Sequence, residues 1–148
     1  MSDDSDGRER RDLSATASAR EMARRIVEGA EAAVERAGAA SAEGNPARVE
    51  ANLAMARAFA ARIEGRDEAA TWLELAERWG SIDEPYAIAR VRWREAEALL
   101  AANDARTGRR LASGPLSEAA VLAARLGAMP LLRRLSELAE RALIPLPA

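Results

Sequence analysis

Residues 72–86 read Trp72-Leu-Glu-Leu-Ala-Glu-Arg-Trp79-Gly80-Ser-Ile-Asp83-Glu-Pro85-Tyr86, and this stretch decides the fold. Trp72, Leu75 and Trp79 recur at steps of three and four, the spacing of one buried helical face. Gly80 stops that helix. Asp83 can cap the next, and Pro85 falls in a first turn that tolerates proline. Tyr86, Ala89, Trp93, Ala96 and Leu100 then lie on one stripe of the following helix. The same punctuation returns at Gly44-Asn45-Pro46 and Gly127-Ala-Met-Pro130, so the closing glycines lie 36 and 47 residues apart. Shorter breaks at Gly65 and Asn103-Asp104 fall between them. The chain is therefore read as a helix–turn–helix unit, repeated and slightly irregular.

Outward from this stretch, residues 1–12 are polar and charged and are expected to form a disordered tail, with nothing to bury against the entropy of ordering. A helix should start near Ser14, with Met22, Ile26, Ala30, Ala33 and Ala37 as its stripe and Gly38, Gly44 and Asn45 at its end. A second should carry Val49, Leu53, Ala56, Ala60 and Ile63. Beyond Asp104, an expected cap, Gly108, Gly114 and Pro115 predict a short helix to about Leu111, a break at Ser113-Gly114 and a fresh start. That later helix carries Ala120, Ala123 and Leu126. The last helix uses Leu131, Leu135, Leu138 and Ala142, and Pro145 and Pro147 terminate it. No segment of useful length alternates with period two. The fold class expected is all-α, with about six to seven helices in stacked helical hairpins forming an α-solenoid. An up-and-down bundle would use the same stripes, and the repeat spacing favours the solenoid. One helical domain over residues 13–144 is expected, with 145–148 as a tail.

Composition narrows the chemistry. The 148 residues include no histidine, no cysteine and no lysine; all 22 basic residues are arginine, and 37 residues are alanine. A Ser–His triad, a cysteine nucleophile, a Schiff base, a P-loop lysine and an ordinary zinc site are all excluded. Glu95 and Glu97 are two apart on a helix and point to different sides, so they make a poor acid–base pair. No enzymatic activity, cofactor or metal is expected. A net charge of −2 with interspersed signs is a poor footprint for nucleic acid. No stretch approaches the apolar length of a membrane helix and no apolar signal region opens the chain, so a cytoplasmic location is expected.

Two side-chain patterns invite a functional reading. Trp72 with Trp79 and Tyr86 with Trp93 are seven apart, and burial in a seam between the third and fourth helices is the expectation. Tyr86, Arg90 and Arg94 share one line at i, i+4, i+8, and two arginines so spaced repel by a few tenths of a kcal/mol. These three are the candidate partner-contact residues. Ordinary solvation, helped by Glu97 three residues after Arg94, is the competing reading. Arg109-Arg110 and Arg133-Arg134 invite the same argument more weakly.

From Trp72 onward the sequence resembles the C-terminal part of the tetratricopeptide-like region of large bacterial LuxR-type transcriptional regulators that carry an ATPase module of the AAA type. The matching features are Trp79-Gly80, Glu84-Pro85-Tyr86 and the run from Ala89 to Leu100. Ala123-Ala-Arg-Leu-Gly-Ala128, Pro130-Leu-Leu132 and Leu138-Ala-Glu-Arg-Ala142 follow. In the family an ATPase module precedes this region and a DNA-binding helix-turn-helix follows it; neither is represented here. Ile144–Ala148 falls about where the family runs into its linker, so the chain reads as a fragment, a truncated product or a stand-alone relic. The resemblance implies a non-catalytic interaction or sensor module that binds a protein partner or small effector. Direct sequence-specific nucleic-acid binding by this segment is not expected, and homo-oligomerisation is compatible with it. The alternative is a stand-alone helical adapter or dimerisation domain unrelated to transcription.

Overall fold

The computed structural model describes residues 3–39 and 45–147, with side chains from residue 10 onward except 30 and 33–39. The described residues form six helices and no strand: α1 (Asp3–Ala39), α2 (Pro46–Ile63), α3 (Ala69–Gly80), α4 (Pro85–Ala102), α5 (Ala105–Arg125) and α6 (Met129–Ala142). The chain divides into two compact units, Met1–Asp67 and Glu68–Ala148.

In the first unit α1 packs on α2. α1 begins at Asp3, well before Ser14, and takes in most of the segment expected to be a polar tail. It also continues through Gly38. The face chosen from the sequence is not the packed one: Met22 and Ile26 are exposed, whereas Ala23 is buried. The Ala30, Ala33 and Ala37 side chains and Gly44 lie outside the described residues. In α2 the buried positions are Ala51, Met55 and Ala58 rather than the Val49–Ile63 stripe. The sequence is alanine-rich on every side of that helix, so hydrophobicity could not choose a face. Asn45 caps α2, its side chain accepting from the Ala47 N–H at 3.1 Å. Arg57 donates to Glu31 at 2.8 Å and ties α2 to α1.

In the second unit each helix packs on the next in sequence, and α4 also meets α6. Trp72, Leu75, Ala76 and Trp79 bury one face of α3 as its period requires. Between α4, α5 and α6 the core is largely methyl groups: Ala89, Ala96, Ala112, Ala119, Ala120 and Ala123 are all at most 4% exposed. Leu116, Leu131 and Leu135 fill what remains. Trp93 packs partly against this cluster, while Tyr86 stays half exposed and takes no part in an aromatic seam. Asp83 does not cap α4. It sits in the left-handed region at φ 53°, which aspartate tolerates, and Glu84 precedes the helix without a side-chain cap.

The expected break at Ser113-Gly114 is absent, and α5 runs unbroken from Ala105 to Arg125 with Pro115 inside it. Two local facts offset the cost. Gly108 is buried where α5 meets α4: an added Cβ would lie 3.2 Å from the Leu100 Cα and 3.3 Å from the Leu99 carbonyl oxygen. Glycine is thus used for close approach, not for a turn. Pro115 deprives the Leu111 carbonyl of its helical donor, but Leu111 is exposed, so water can serve that oxygen. The stripe Gly108, Ala112, Leu116, Ala119 and Ala123 passes straight through the segment and is wholly buried.

After α6, Leu143 adopts the left-handed conformation at φ 57°. The Ile144 N–H donates to the Ala139 carbonyl at 2.9 Å, and Ile144 is drawn into the core. Leu146 packs partly on the same cluster, so residues 145–147 lie against the helices.

Candidate functional site

α4 carries most of the charge chemistry singled out from the sequence. Its heptad of Val91-Arg92-Trp93-Arg94-Glu95-Ala96-Glu97 alternates faces every residue or two, so each charge meets a different neighbour. Arg94 donates to Glu97 at 2.7 Å and its guanidinium lies 4.0 Å from the centroid of the Trp93 ring. Arg92 donates to Glu95 at 2.7 Å, and its Nε lies 2.7 Å from a Glu118 carboxylate oxygen on α5. That Nε has no hydrogen-bond partner by geometry, so the contact with Glu118 is an electrostatic one. Burial disfavours the Arg92 cation, but Glu95 and Glu118 outweigh it and hold the pKa above its ordinary value. Glu95 is the one buried charged residue among those described. It is spent on Arg92, and Glu97 is spent on Arg94. The two carboxylates therefore do point apart, as their spacing requires.

The Tyr86, Arg90, Arg94 line is consequently not a row of open cations. Tyr86 is half exposed and available, whereas Arg94 is neutralised by Glu97 and stacked. Arg90 is half-buried. The three share a helix face by spacing, and only the tyrosine presents an open surface.

The open cations lie on α5 instead. Arg106, Arg109, Arg110 and Ser113, at i, i+3, i+4 and i+7, line a groove of about 330 Å³ whose other wall is Ile144 and Pro145. All three arginines are exposed, and no carboxylate lies within 4 Å of any of them among the described residues. The carboxylate next in sequence, Asp104, caps the helix and accepts from the N–H groups of Arg106 and Thr107 at 3.1 and 3.0 Å. Those bonds hold its carboxyl below its ordinary value. From the sequence only Arg109-Arg110 stood out. Arg106 already shared a face with Arg109 and Arg110 on the expected helix to Leu111 but was not weighed with them, and the apolar wall was missed because residues 145–148 were expected to form a tail rather than turn back at Leu143. The available signal was Arg106-Thr-Gly-Arg109-Arg110 beginning two residues after a capping aspartate.

No group of three or more acidic residues among the described residues could hold a metal ion. No described helix is long and apolar enough to cross a membrane. Comparison with protein-family models, curated proteins and solved structures finds no match for this chain.

Proposed function

We propose that this chain is a non-catalytic helical-repeat interaction module of the kind found in LuxR-type transcriptional regulators, binding a protein partner or small effector in the cytoplasm. One observation supports the reading: in Glu68–Ala148 each helix packs on its sequence neighbour, as the members of stacked helical hairpins would. Such a stack presents side chains from successive helices along its surface, and Tyr86 on α4 is an open aromatic of the type that anchors partners. The mechanism is differential affinity of the partner for two arrangements of the stack, so that binding shifts their populations. DNA contact belongs to another segment or protein in this scheme. The test couples two measurements. Y86A in the source cell is expected to change transcript levels of a defined gene set, while the purified chain gives no sequence-selective shift of duplex DNA at physiological salt. Unchanged transcripts, or a tight selective shift by the chain itself, would overturn the proposal.

A further inference from the structure

The groove on α5 combines features that a merely solvated surface does not need. Many arginines elsewhere sit where charge is welcome. Arg62, Arg78, Arg125 and Arg141 fall in the last turns of their helices, where the macrodipole favours a cation. Arg24, Arg25 and Arg57 meet glutamates. Arg106 does neither: it stands in the first turn of α5, where the dipole opposes a positive charge. Arg109 and Arg110 add like charges at i+3 and i+4 from it, and this repulsion goes unrelieved among the described residues. The wall opposite is built by a specific turn. Left-handed Leu143 swings the chain back, Ile144 is anchored in the core, and Pro145 fixes the backbone beside the arginines. The groove is thus preorganised, with a cationic side and an apolar side.

We infer that this groove binds an extended acidic segment of a partner protein, with two carboxylates at alternate positions, one facing Arg106 and the other Arg109 and Arg110, and an apolar residue against Pro145. The spacing fits: Arg106 and Arg110 are about 6 Å apart along the helix axis, and alternate residues of an extended strand are about 6.6 Å apart on one face. Guanidinium forks suit carboxylates in pairs. A nucleic-acid strand suits the surface less. The three arginines are confined to one short groove, and the next charge along α5 is Glu118, which would repel a continuing polyanion. The inference does not require the regulator family proposed above and concerns a different face from Tyr86.

Fluorescence anisotropy on the full chain tests it, with a labelled Gly-Glu-Ala-Glu-Ala-Glu-Gly peptide as probe and its glutamine counterpart as control. The acidic peptide should bind, the glutamine peptide should not, and raised salt should weaken binding. R106Q/R109Q/R110Q should weaken it at least tenfold, and R110Q alone at least twofold. R133Q/R134Q, which removes two exposed arginines from α6, should leave it within twofold. S113Y keeps every charge but fills the groove, and should weaken binding threefold or more. Unaltered binding by the triple variant overturns the inference, as does an equal loss in R133Q/R134Q or wild-type affinity in S113Y. Displacement of the peptide by inorganic phosphate or a duplex oligonucleotide at lower concentration than by unlabelled peptide would overturn the choice of a peptide partner.

Discussion

A methyl group added at Gly108 meets the backbone of α4, whereas one added six residues on at Gly114 meets nothing within 4 Å. Backbone atoms cannot swing aside as a side-chain end can, so overpacking of about 1–3 kcal/mol outweighs the helix-propensity gain of about 1 kcal/mol. G108A should therefore destabilise the protein by about 1 kcal/mol and G114A stabilise it by about 0.5–1 kcal/mol, measured by urea unfolding. Trp79 tests the core differently. It is 3% exposed, and its indole N–H is buried without a partner, so its large apolar area must outweigh an unsatisfied donor. W79A should cost about 3–5 kcal/mol in the same experiment; a loss below about 1 kcal/mol would contradict its place in the core. The burial of Trp72, Leu75 and Trp79 was legible in the sequence because large apolar residues there alternate with charged ones. Tyr86 was legible only in part: its spacing placed it on the Ala89–Trp93 line, but a residue at the start of a helix can lie beyond the reach of the neighbouring helix.

At the scale of elements, α5 shows which sequence signals outrank others. Glycine and proline argued for a break, yet the stripe Gly108, Ala112, Leu116, Ala119 and Ala123 buries a continuous face and the helix persists. Tertiary packing overrode local propensity, and only the three-dimensional neighbours of Gly108 reveal why. P115A restores the missing N–H for the Leu111 carbonyl and should raise stability by about 1–3 kcal/mol. Slow hydrogen exchange at Ala112 and Leu116 in the wild-type protein would accompany an unbroken helix. The start of α5 is sensitive to acid. The Asp104 carboxyl is held below its ordinary 3.8 by the N–H groups it accepts from, chiefly that of Thr107. A depressed folded-state value means that the cap's contribution is present above pH 3.8 and is lost as pH falls through the lower folded value. D104N keeps an oxygen acceptor without the titration, so its melting temperature should fall less than wild type between pH 5 and pH 2. D104A should lose the cap at every pH. Differential scanning calorimetry across that range checks both.

For the molecule as a whole, the division at Asp67 and Glu68 separates segments with unequal cores. Residues 68–148 contain the connected cluster around Leu116 and Leu135, whereas α1 and α2 bury among their described side chains only Ala23, Ala51, Met55 and Ala58. A fragment of residues 68–148 should therefore unfold cooperatively on its own, and a fragment of residues 1–67 should show little cooperative structure, as followed by circular dichroism. The alanine contacts between α4 and α5 carry a further consequence. Where methyl groups alone meet there is no bulky tooth to catch in a notch, so resistance to sliding one helix along the other falls to a few larger side chains such as Leu116 and to fixed contacts. Two fastenings oppose that shear: Gly108 pressed on Leu99 and Leu100 near the hairpin turn, and Arg92 held to Glu118 farther along. They stand about 12–15 Å apart along the axes. With both in place the helices are riveted; with either one gone, the joint becomes a pivot.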